Sequence, residues 1–431
     1  MPDDLRPTPL YHLYSGASTL LAPFAWRKVA RRLGDYGISH ERQRERLGQA
    51  TLNRPEGPLI WFHAASVGES LSVLTLITRL GDMHPKAEFL ITSGTPTSAE
   101  LIAKRMPPRS RHQFPPLDSR SAVNRFLQHW QPNLGVFVES ELWPQMVVRA
   151  SATGCPLVLL NARMSDRTVN AWAKRPATAR FILSQFDLFL TQNQKTADNL
   201  RRIRAAPDRI RPGSNLKAVS APLPVDQTAL KDLQSALGDR PLWVASSTHA
   251  GEEETVLCAH AQILKSHPDA CLLLAPRHPE RGDTVEALIH DAGFSLARRS
   301  RKDALAADTQ VYLADTLGEV GTWYALCPRV FMGGSLKNIG GHNPFEPAQL
   351  GATVLTGPGC FNFAESYAEM IRAGAAREAS TAEAIAAQII AWLQYPRELE
   401  LACAASTAYI ARQSDHLDKT AAALIDLLPA G

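Results

Sequence analysis

The sequence predicts an α/β protein built from two Rossmann-like, doubly wound domains that face a cleft. Short apolar runs alternate with stretches of helical length through the middle of the chain, and a second series of the same kind follows a proline-containing stretch. Strands that alternate with helices imply parallel sheets covered on both faces. The length of 431 residues and the 45% hydrophobic content allow two such domains, each with a large core.

The apolar runs mark the expected strands and the domain boundary. The first series is PLIWF, AEFLITSG, LGVFVES, CPLVLLNA and DLFLTQN, and the second is PLWVASS, ACLLLAPR, QVYLAD, RVFMGG and TVLTGP. Between the two series, AVSAPLPVDQ carries two prolines, and we interpret it as an interdomain linker. We therefore expect an N-terminal segment at 1–33, a first domain at 34–219 and a second domain at 220–431.

The N-terminal segment has the composition of a membrane-associating helix. Thr8 to Trp26 contains no Asp, Glu, Lys or Arg, and Arg27 to Arg46 then carries seven basic against three acidic residues, 7 − 3 = +4. Apolar side chains followed by cations suit an interface with anionic lipids, and the cations predict that the bulk of the chain is cytoplasmic. The stretch is long enough to cross a bilayer, but its prolines weaken that interpretation. An amphipathic helix packed on its own domain is the alternative.

The composition argues against several other classes of protein. A formal net charge of +4 is too small to indicate a nucleic-acid partner. The six cysteines are scattered without a CxxC pair, and no HExxH motif occurs, so the sequence indicates neither a disulfide framework nor a zinc site. We expect a protein of a reducing compartment without a bound metal or cofactor.

Polar residues follow nearly every predicted strand, where open α/β sheets bind ligands. In HAASVGES, the spacing of Ser66 and Glu69 fits a capping box at a helix start, but a carboxylate at that place also suits a general base. In VESELWP, Glu139 and Glu141 would point to one side of a strand, as paired acid–base groups or as solvated helix caps. Lys217, just before the linker, would reach the interdomain cleft or remain a surface residue.

The second half of the chain carries features that suit a phosphate. Gly333 and Gly334 follow a strand and would let backbone N–H groups approach an anion. Asn343 and Pro344 fit a helix start, with the Asn as cap and the Pro at the first helical position. Arg277 emerges from the end of a strand in APRHPER, where a guanidinium can grip a phosphate and His278 and Arg281 add donors. A solvated loop is the alternative.

Taken together, several motifs resemble the 3-deoxy-D-manno-octulosonic acid (Kdo) transferase family. They are HAASVGE, ESELWP, NARMSDRT, PRHPER, DTLGE and GGSLKNIGGHNPFEPA, and they occur in the expected order from the N-terminus to the C-terminal helices. The resemblance implies a GT-B glycosyltransferase that transfers Kdo from CMP-Kdo to a lipid A precursor (lipid IVA), with inversion, during lipopolysaccharide core biosynthesis. It also implies an enzyme held at the cytoplasmic face of the Gram-negative inner membrane, in contact with its anionic lipids.

The resemblance also implies roles for particular residues. Glu69 would be the general base, and Glu139 and Lys217 would assist the transition state. The CMP-binding residues would be Pro276, Arg277, Gly318, Glu319, Val320, Asn343, Pro344, Phe345 and Glu346. Two alternatives remain open: a GT-B transferase for another nucleotide sugar, and a membrane-anchored nucleotide-sugar binding protein without catalysis.

Overall fold

A computed structural model describes residues 6–213, 215–219 and 221–429. The chain divides into two compact units. Unit N comprises the described residues up to Val219 together with residues 413–429, and unit C comprises residues 221–412. The boundary falls within the stretch interpreted above as a linker.

Unit N is built on a parallel sheet whose seven described strands have the order β3-β2-β1-β4-β5-β6-β7. This is the doubly wound order 3-2-1-4-5-6 with one more strand at the edge. The strands are β1 (Leu59–His63), β2 (Glu88–Thr92), β3 (Ser110–Gln113), β4 (Leu134–Val138), β5 (Leu157–Ala162), β6 (Leu188–Thr191) and β7 (Ile210–Pro212). The helices are α1 (Pro9–Asp35), α2 (His40–Gln43), α3 (Val67–Met83), α4 (Pro96–Lys104), α5 (Arg120–Trp130), α6 (Pro144–Ala152), α7 (Asp166–Ala173), α8 (Pro176–Leu183) and α9 (Gln194–Arg202).

Unit C repeats the scheme with the strand order β10-β11-β9-β8-β12-β13-β14, again parallel throughout. Without β10 at the edge, this order is 3-2-1-4-5-6. The strands are β8 (Leu242–Thr248), β9 (Cys271–Pro276), β10 (Leu296–Arg298), β11 (Val311–Leu313), β12 (Arg329–Met332), β13 (Thr353–Thr356) and β14 (Ala376–Glu378). The helices are α10 (Gln227–Leu237), α11 (Glu253–Leu264), α12 (Gly282–Asp291), α13 (Val320–Leu326), α14 (Phe345–Gln349), α15 (Ala364–Arg372), α16 (Ala382–Gln394) and α17 (Pro396–Ile425).

The continuous apolar runs form strands because both faces of each sheet are covered. Successive side chains of β1 point to opposite faces. Trp61 therefore packs against Phe137 in one core, whereas Phe62 packs with Val136 in the other. All five residues of β1 and all five of β4 are buried, as expected for central parallel strands. The predicted α/β class with two doubly wound domains is confirmed.

The C-terminal end of the chain returns to unit N. Helix α17 is continuous over 30 residues, and its last part places Leu417, Ala421 and Leu424 in a core of unit N. Arg79 of α3 pairs with Asp418 there, with 2.7 Å between Nε and Oδ1. The boundaries given above assign residues 413–431 to the second domain, because nothing in the local sequence marks where a long amphipathic helix finds its apolar partners.

The N-terminal segment forms the long helix α1. Thr8 caps it, since its Oγ1 accepts from the backbone N–H of Tyr11 at 3.3 Å. Tyr11 is buried against Phe181, and the Tyr14 hydroxyl donates to Asp118 at 2.8 Å. One side of α1 therefore packs on unit N, as the second interpretation above expects. In the described part of the chain, no helix combines the length and apolarity needed to cross a membrane.

Candidate active site

Glu69 lies in the first turn of α3, directly after the central strand β1. Ser66 is the N-cap residue, and its Oγ accepts from the Glu69 backbone N–H at 3.3 Å. The Glu69 carboxylate in turn accepts from the Ser66 hydroxyl and from the Ala65 backbone N–H, both at 2.8 Å. The capping box is therefore present, with the carboxylate reaching one residue further back than expected.

The Glu69 carboxyl has an unusual electrostatic setting. Partial burial raises its pKa, and this effect outweighs the two hydrogen bonds, from Ser66 and Ala65, that favour the ionised form. Negative charge on Glu139 and Glu141 raises the pKa further. A carboxylate with a raised pKa binds a proton more strongly, which is the property that a general base requires.

Glu139 follows β4 in a conformation that the sequence did not suggest. Its φ of +57° lies in the left-handed region, so the chain leaves the strand at this residue. The expectation that Glu139 and Glu141 point to the same side of a strand is wrong for this reason. Glu139 instead forms an ion pair with Lys217, with 2.9 Å between Oε1 and Nζ. The turn that carries Lys217 is held by Asn161, whose Oδ1 accepts from the Leu216 N–H at 3.1 Å.

Glu141 faces His63, a residue that the sequence indicated only as part of a polar strand end. The His63 Nε2 and a Glu141 oxygen are 3.6 Å apart, an ion-pair distance slightly too long for a hydrogen bond. Burial raises the pKa of Glu141, but His63 and the Trp143 indole N–H together hold it below its usual range. His63 is itself fixed by Thr92, whose Oγ1 lies 3.0 Å from Nδ1.

Thr92 holds the His63 ring in place. Its Oγ1 accepts from the Trp61 Nε1 at 2.8 Å and lies 3.2 Å from the Phe62 carbonyl oxygen. The His63 Nε2 atom faces Glu141, at the carboxyl edge of the sheet. His63, Glu69, Glu139 and Lys217 therefore all belong to the same edge of unit N.

Arg277 follows β9 in unit C and is exposed, and its backbone N–H donates to the Thr248 carbonyl at 2.9 Å. Within the described ranges, its guanidinium has no ion pair or hydrogen bond. Arg281 differs, since it is committed to the buried Glu253 at 2.6 Å, and the expectation that Arg281 adds a free donor is wrong. Arg277 remains available for an anion.

The Gly-rich loop after β12 binds a carboxylate group of the protein itself. The fully buried Glu252 carboxylate accepts from the backbone N–H groups of Gly334, Ser335 and Leu336 at 2.6–3.0 Å. It also accepts from the His249 N–H at 3.0 Å. These backbone donors, which the glycine pattern assigned to a bound anion, are therefore already occupied.

Asn343 lies one residue before the cap position of α14, because the helix begins one residue later than the sequence predicted. Its Oδ1 accepts from the Phe345 N–H at 3.1 Å, and its Nδ2 donates to Glu346 at 3.2 Å. Pro344 thus occupies the cap position instead of the first helical one. Burial raises the pKa of Glu346, while Asn343 and the charge of Arg277 oppose the rise. The buried Phe345 side chain packs in the core.

The remaining predicted CMP contacts lie at the ends of β9 and β11. Pro276 is the last residue of β9, and Gly318 to Val320 form the turn into α13. The Glu319 carboxylate is engaged by Arg299, with 2.6 Å between Oε1 and Nη2, and by the Thr316 hydroxyl. These interactions hold the pKa of Glu319 below its usual range. Both stretches lie at the carboxyl edge of the unit C sheet.

Two parallel, doubly wound domains, with polar clusters at their carboxyl edges, are the architecture of the GT-B fold. A solved glycosyltransferase from Rickettsia africae ESF-5 has this fold, with a TM-score of 0.60 over 88% of this chain and 100% of its own, at 11% identity. The family model for 3-deoxy-D-manno-octulosonic-acid transferase (kdotransferase) matches residues 41–220. This chain belongs to the Kdo transferase family.

Two curated relatives support the assignment. A protein of Bordetella pertussis named 3-deoxy-D-manno-octulosonic acid transferase is 30% identical, and the match covers 96% of this chain and 97% of the relative. A probable mitochondrial 3-deoxy-D-manno-octulosonic acid transferase of Arabidopsis thaliana is 34% identical over 81% of this chain and 79% of its own length. The similarity therefore extends well beyond the residues that the family model matches.

Proposed function

We propose that this protein transfers Kdo from CMP-Kdo to a hydroxyl group of a lipid A precursor, with inversion at the anomeric carbon. The observation that carries the proposal is Glu69, a partly buried carboxylate with a raised pKa at the carboxyl edge of unit N. Glu69 accepts the proton of the acceptor hydroxyl while that oxygen attacks the anomeric carbon. The bond from this carbon to the phosphate oxygen breaks, and CMP leaves with the electron pair.

Other residues in both units support this chemistry. The Glu139–Lys217 ion pair places a cation and an anion beside the proposed base, where they stabilise charge that develops during transfer. In unit C, the unpaired guanidinium of Arg277 binds the phosphate of the donor, and Glu346 and the turn at 318–320 bind the rest of CMP. In this proposal the cation Arg277 binds the donor phosphate, and the base Glu69 accepts the proton of the acceptor hydroxyl.

The direct test of this proposal is product formation. Purified protein is incubated with freshly generated CMP-Kdo and a tetraacylated lipid A precursor, and the products are weighed by mass spectrometry. We expect a mass increase equal to one or more Kdo residues. Transfer from a UDP-sugar instead would favour another GT-B transferase, and nucleotide binding without any transfer would favour a non-catalytic binding protein.

We also propose that α1 attaches the protein to the cytoplasmic face of the inner membrane. Its outer face exposes apolar side chains that no described residue of unit N covers, with exposed fractions of 60–76%: Leu13, Leu20, Leu21 and Phe24. Basic residues follow within two turns: Arg27, Lys28, Arg31 and Arg32. An apolar stripe that continues into a basic cluster suits a helix lying in the interface of an anionic bilayer.

Liposome binding tests the attachment. We expect the protein to sediment with phosphatidylserine liposomes, and the binding to weaken as salt screens the cluster. Arg31→Gln should lower the affinity by about 1 kcal/mol, or roughly fivefold. Arg397→Gln, a change at an exposed arginine of unit C, is the matched control and should have no effect. Equal binding to neutral and anionic vesicles would contradict the electrostatic part of the proposal.

A further inference from the structure

Two histidine side chains near Arg277 form a hydrogen-bonded pair. The Nε2 atoms of His249 and His342 are 2.9 Å apart. The two ring planes are parallel within 2°, and the ring centroids are 5.1 Å apart. Since the centroids are much further apart than the nitrogens, the nitrogens lie between the rings and share a single hydrogen. One ring is the donor and the other is the acceptor, so the pair carries at most one positive charge.

Contacts to the backbone of both histidines, and to the ring of His342, hold the pair in place. The backbone N–H of His249 is bound by Glu252, and the carbonyl of His342 accepts from the Tyr367 hydroxyl at 3.0 Å. The His342 ring lies against Gly334, where a Cβ atom would come within 2.9 Å of the ring and where φ is +67°. The short contact between the rings therefore results from the fold around them, and Glu252 binds both the His249 backbone and the loop that contains Gly334.

Burial and nearby positive charge keep the pair neutral in the free protein. Burial lowers the pKa of both rings, that of His342 to about 4, and the charges of Arg277 and His278 lower the pKa of both rings further. The charge of His249 also lowers the pKa of His342. Glu252 and Glu253 oppose the lowering of the pKa at His249. The ring of His278 lies edge-on to His249, with centroids 5.6 Å apart. In the described residues, no group of three or more His, Cys, Asp or Glu side chains is arranged to hold a metal ion.

We propose that the His249–His342 pair binds the donor phosphoryl group together with Arg277, and that the pair takes up one proton from solvent as this anion binds. The proposal rests on the proposed function, because it assumes that the donor phosphate lies beside Arg277. A bound anion offsets the positive charge of Arg277, which removes one of the causes that keep the imidazoles neutral. The protonated pair then donates N–H groups to the phosphate and stabilises the negative charge that CMP carries when it leaves.

Calorimetry of nucleotide binding tests the proton uptake. The probe is cytidine 5′-(methyl phosphate), because its phosphodiester, unlike the phosphate of CMP, does not titrate near neutral pH. Titrations at pH about 6.5 in buffers of different ionisation enthalpy count the protons bound per ligand. We expect an uptake approaching one proton, and an affinity that rises up to about tenfold for each pH unit lowered. His249→Asn and His342→Asn should abolish the uptake, and the control His290→Asn, at a side chain 60% exposed on α12, should retain it.

A measurement on the unaltered protein avoids any effect of the substitutions on folding. The imidazole Cε1–H resonances of the pair should move towards their protonated positions when the probe binds. Binding without proton uptake or without a resonance shift would overturn the proposal and leave the donor assignment intact. Uptake that persists in both Asn variants would assign the proton to another group, such as Glu346 or His278, and would also overturn it. Failure of the probe to bind would overturn the donor assignment and this proposal together.

Discussion

The first strand–helix turn of unit N and that of unit C have similar sequences and different chemistry. HAASVGE at 63–69 follows β1, and HAGE at 249–252 follows β8. Both strands occupy the same place in the strand order of their sheets, and each turn begins with His and ends with Gly-Glu. Each unit therefore carries a glutamate where its first strand–helix turn enters the helix, Glu69 in the first turn of α3 and Glu252 directly before α11.

The two glutamates differ in the number of donors that reach them. Glu252 is fully buried, and four backbone N–H groups donate to it. Glu69 is only partly buried and accepts from one backbone N–H and one hydroxyl. Four fixed donors tie the Glu252 carboxylate to the backbone around it, whereas Glu69, with two donors and nearby negative charge, has a raised pKa. The same residue type therefore serves folding in one unit and, as we propose, catalysis in the other.

The same substitution at both glutamates gives the strongest contrast. In Glu252→Gln, an amide NH₂ replaces one carboxylate oxygen and faces two backbone N–H groups, which lose their acceptor. At about 1–3 kcal/mol for each buried donor left unsatisfied, the free energy of unfolding should fall by about 2–6 kcal/mol. Urea unfolding measures the loss. Glu254→Gln, at the exposed glutamate two residues further on, should change it by no more than about 0.5 kcal/mol.

Glu69→Gln should have the opposite profile. Gln still accepts at a helix start but cannot take a proton, so turnover should fall by about 100-fold or more while stability and CMP binding stay near those of the parent. Rates of Kdo transfer and thermal unfolding of the same preparation measure the two effects. A variant that transfers Kdo at close to the parent rate would reduce Glu69 to a helix cap, and the two turns would then be alike.

Arg277→Ala tests whether unit C supplies a free cation where unit N supplies a base. Loss of one charge-assisted contact to the phosphate should weaken CMP binding by about 1.5–3 kcal/mol, or roughly 10- to 150-fold. Calorimetry measures the affinity, and folding should be unchanged because Arg277 forms no ion pair with any residue that the structure describes. Arg397→Ala is the control at another exposed arginine of unit C. Unaltered CMP affinity would remove Arg277 from the site.

Ser66→Ala should produce the smallest effect, a shift in pH dependence. The Ser66 hydroxyl lowers the pKa of Glu69, so its removal should raise that pKa further. Activity requires the ionised carboxylate, and it is lost as pH falls through the Glu69 pKa. The acidic limb of kcat/KM should therefore move to higher pH.

Thr95→Ala separates this shift from the loss of a helix cap. Thr95 caps α4 as Ser66 caps α3, with its Oγ1 accepting from the Ser98 N–H at 3.2 Å. Both variants should lose about 0.5–2 kcal/mol of stability. The acidic limb of kcat/KM should move only in Ser66→Ala. A limb that stays in place would show that Glu69 does not set the pH dependence.

The sequence by itself determined the features that depend on neighbouring residues. Apolar runs that alternate with helical stretches predicted two parallel sheets. Each strand of such a sheet is buried on both faces, so nearly all of its residues are apolar and the run is visible in the sequence. The capping box at Ser66 and Glu69 was visible for the same reason, since its hydrogen bonds join residues three or four apart. The family motifs identified the transferase family because they keep local spacing.

Only the tertiary structure decided which distant groups meet. Glu252 fills the glycine loop 82 residues away, and His249 reaches His342 across 93 residues. The left-handed turn at Glu139 directs that carboxylate to Lys217 and away from Glu141, and α17 returns to unit N at Leu417. Each of these contacts depends on strand order and loop geometry. Neither partner's local sequence indicates which distant residue it will contact. The contact partners of these residues are therefore visible only in the tertiary structure.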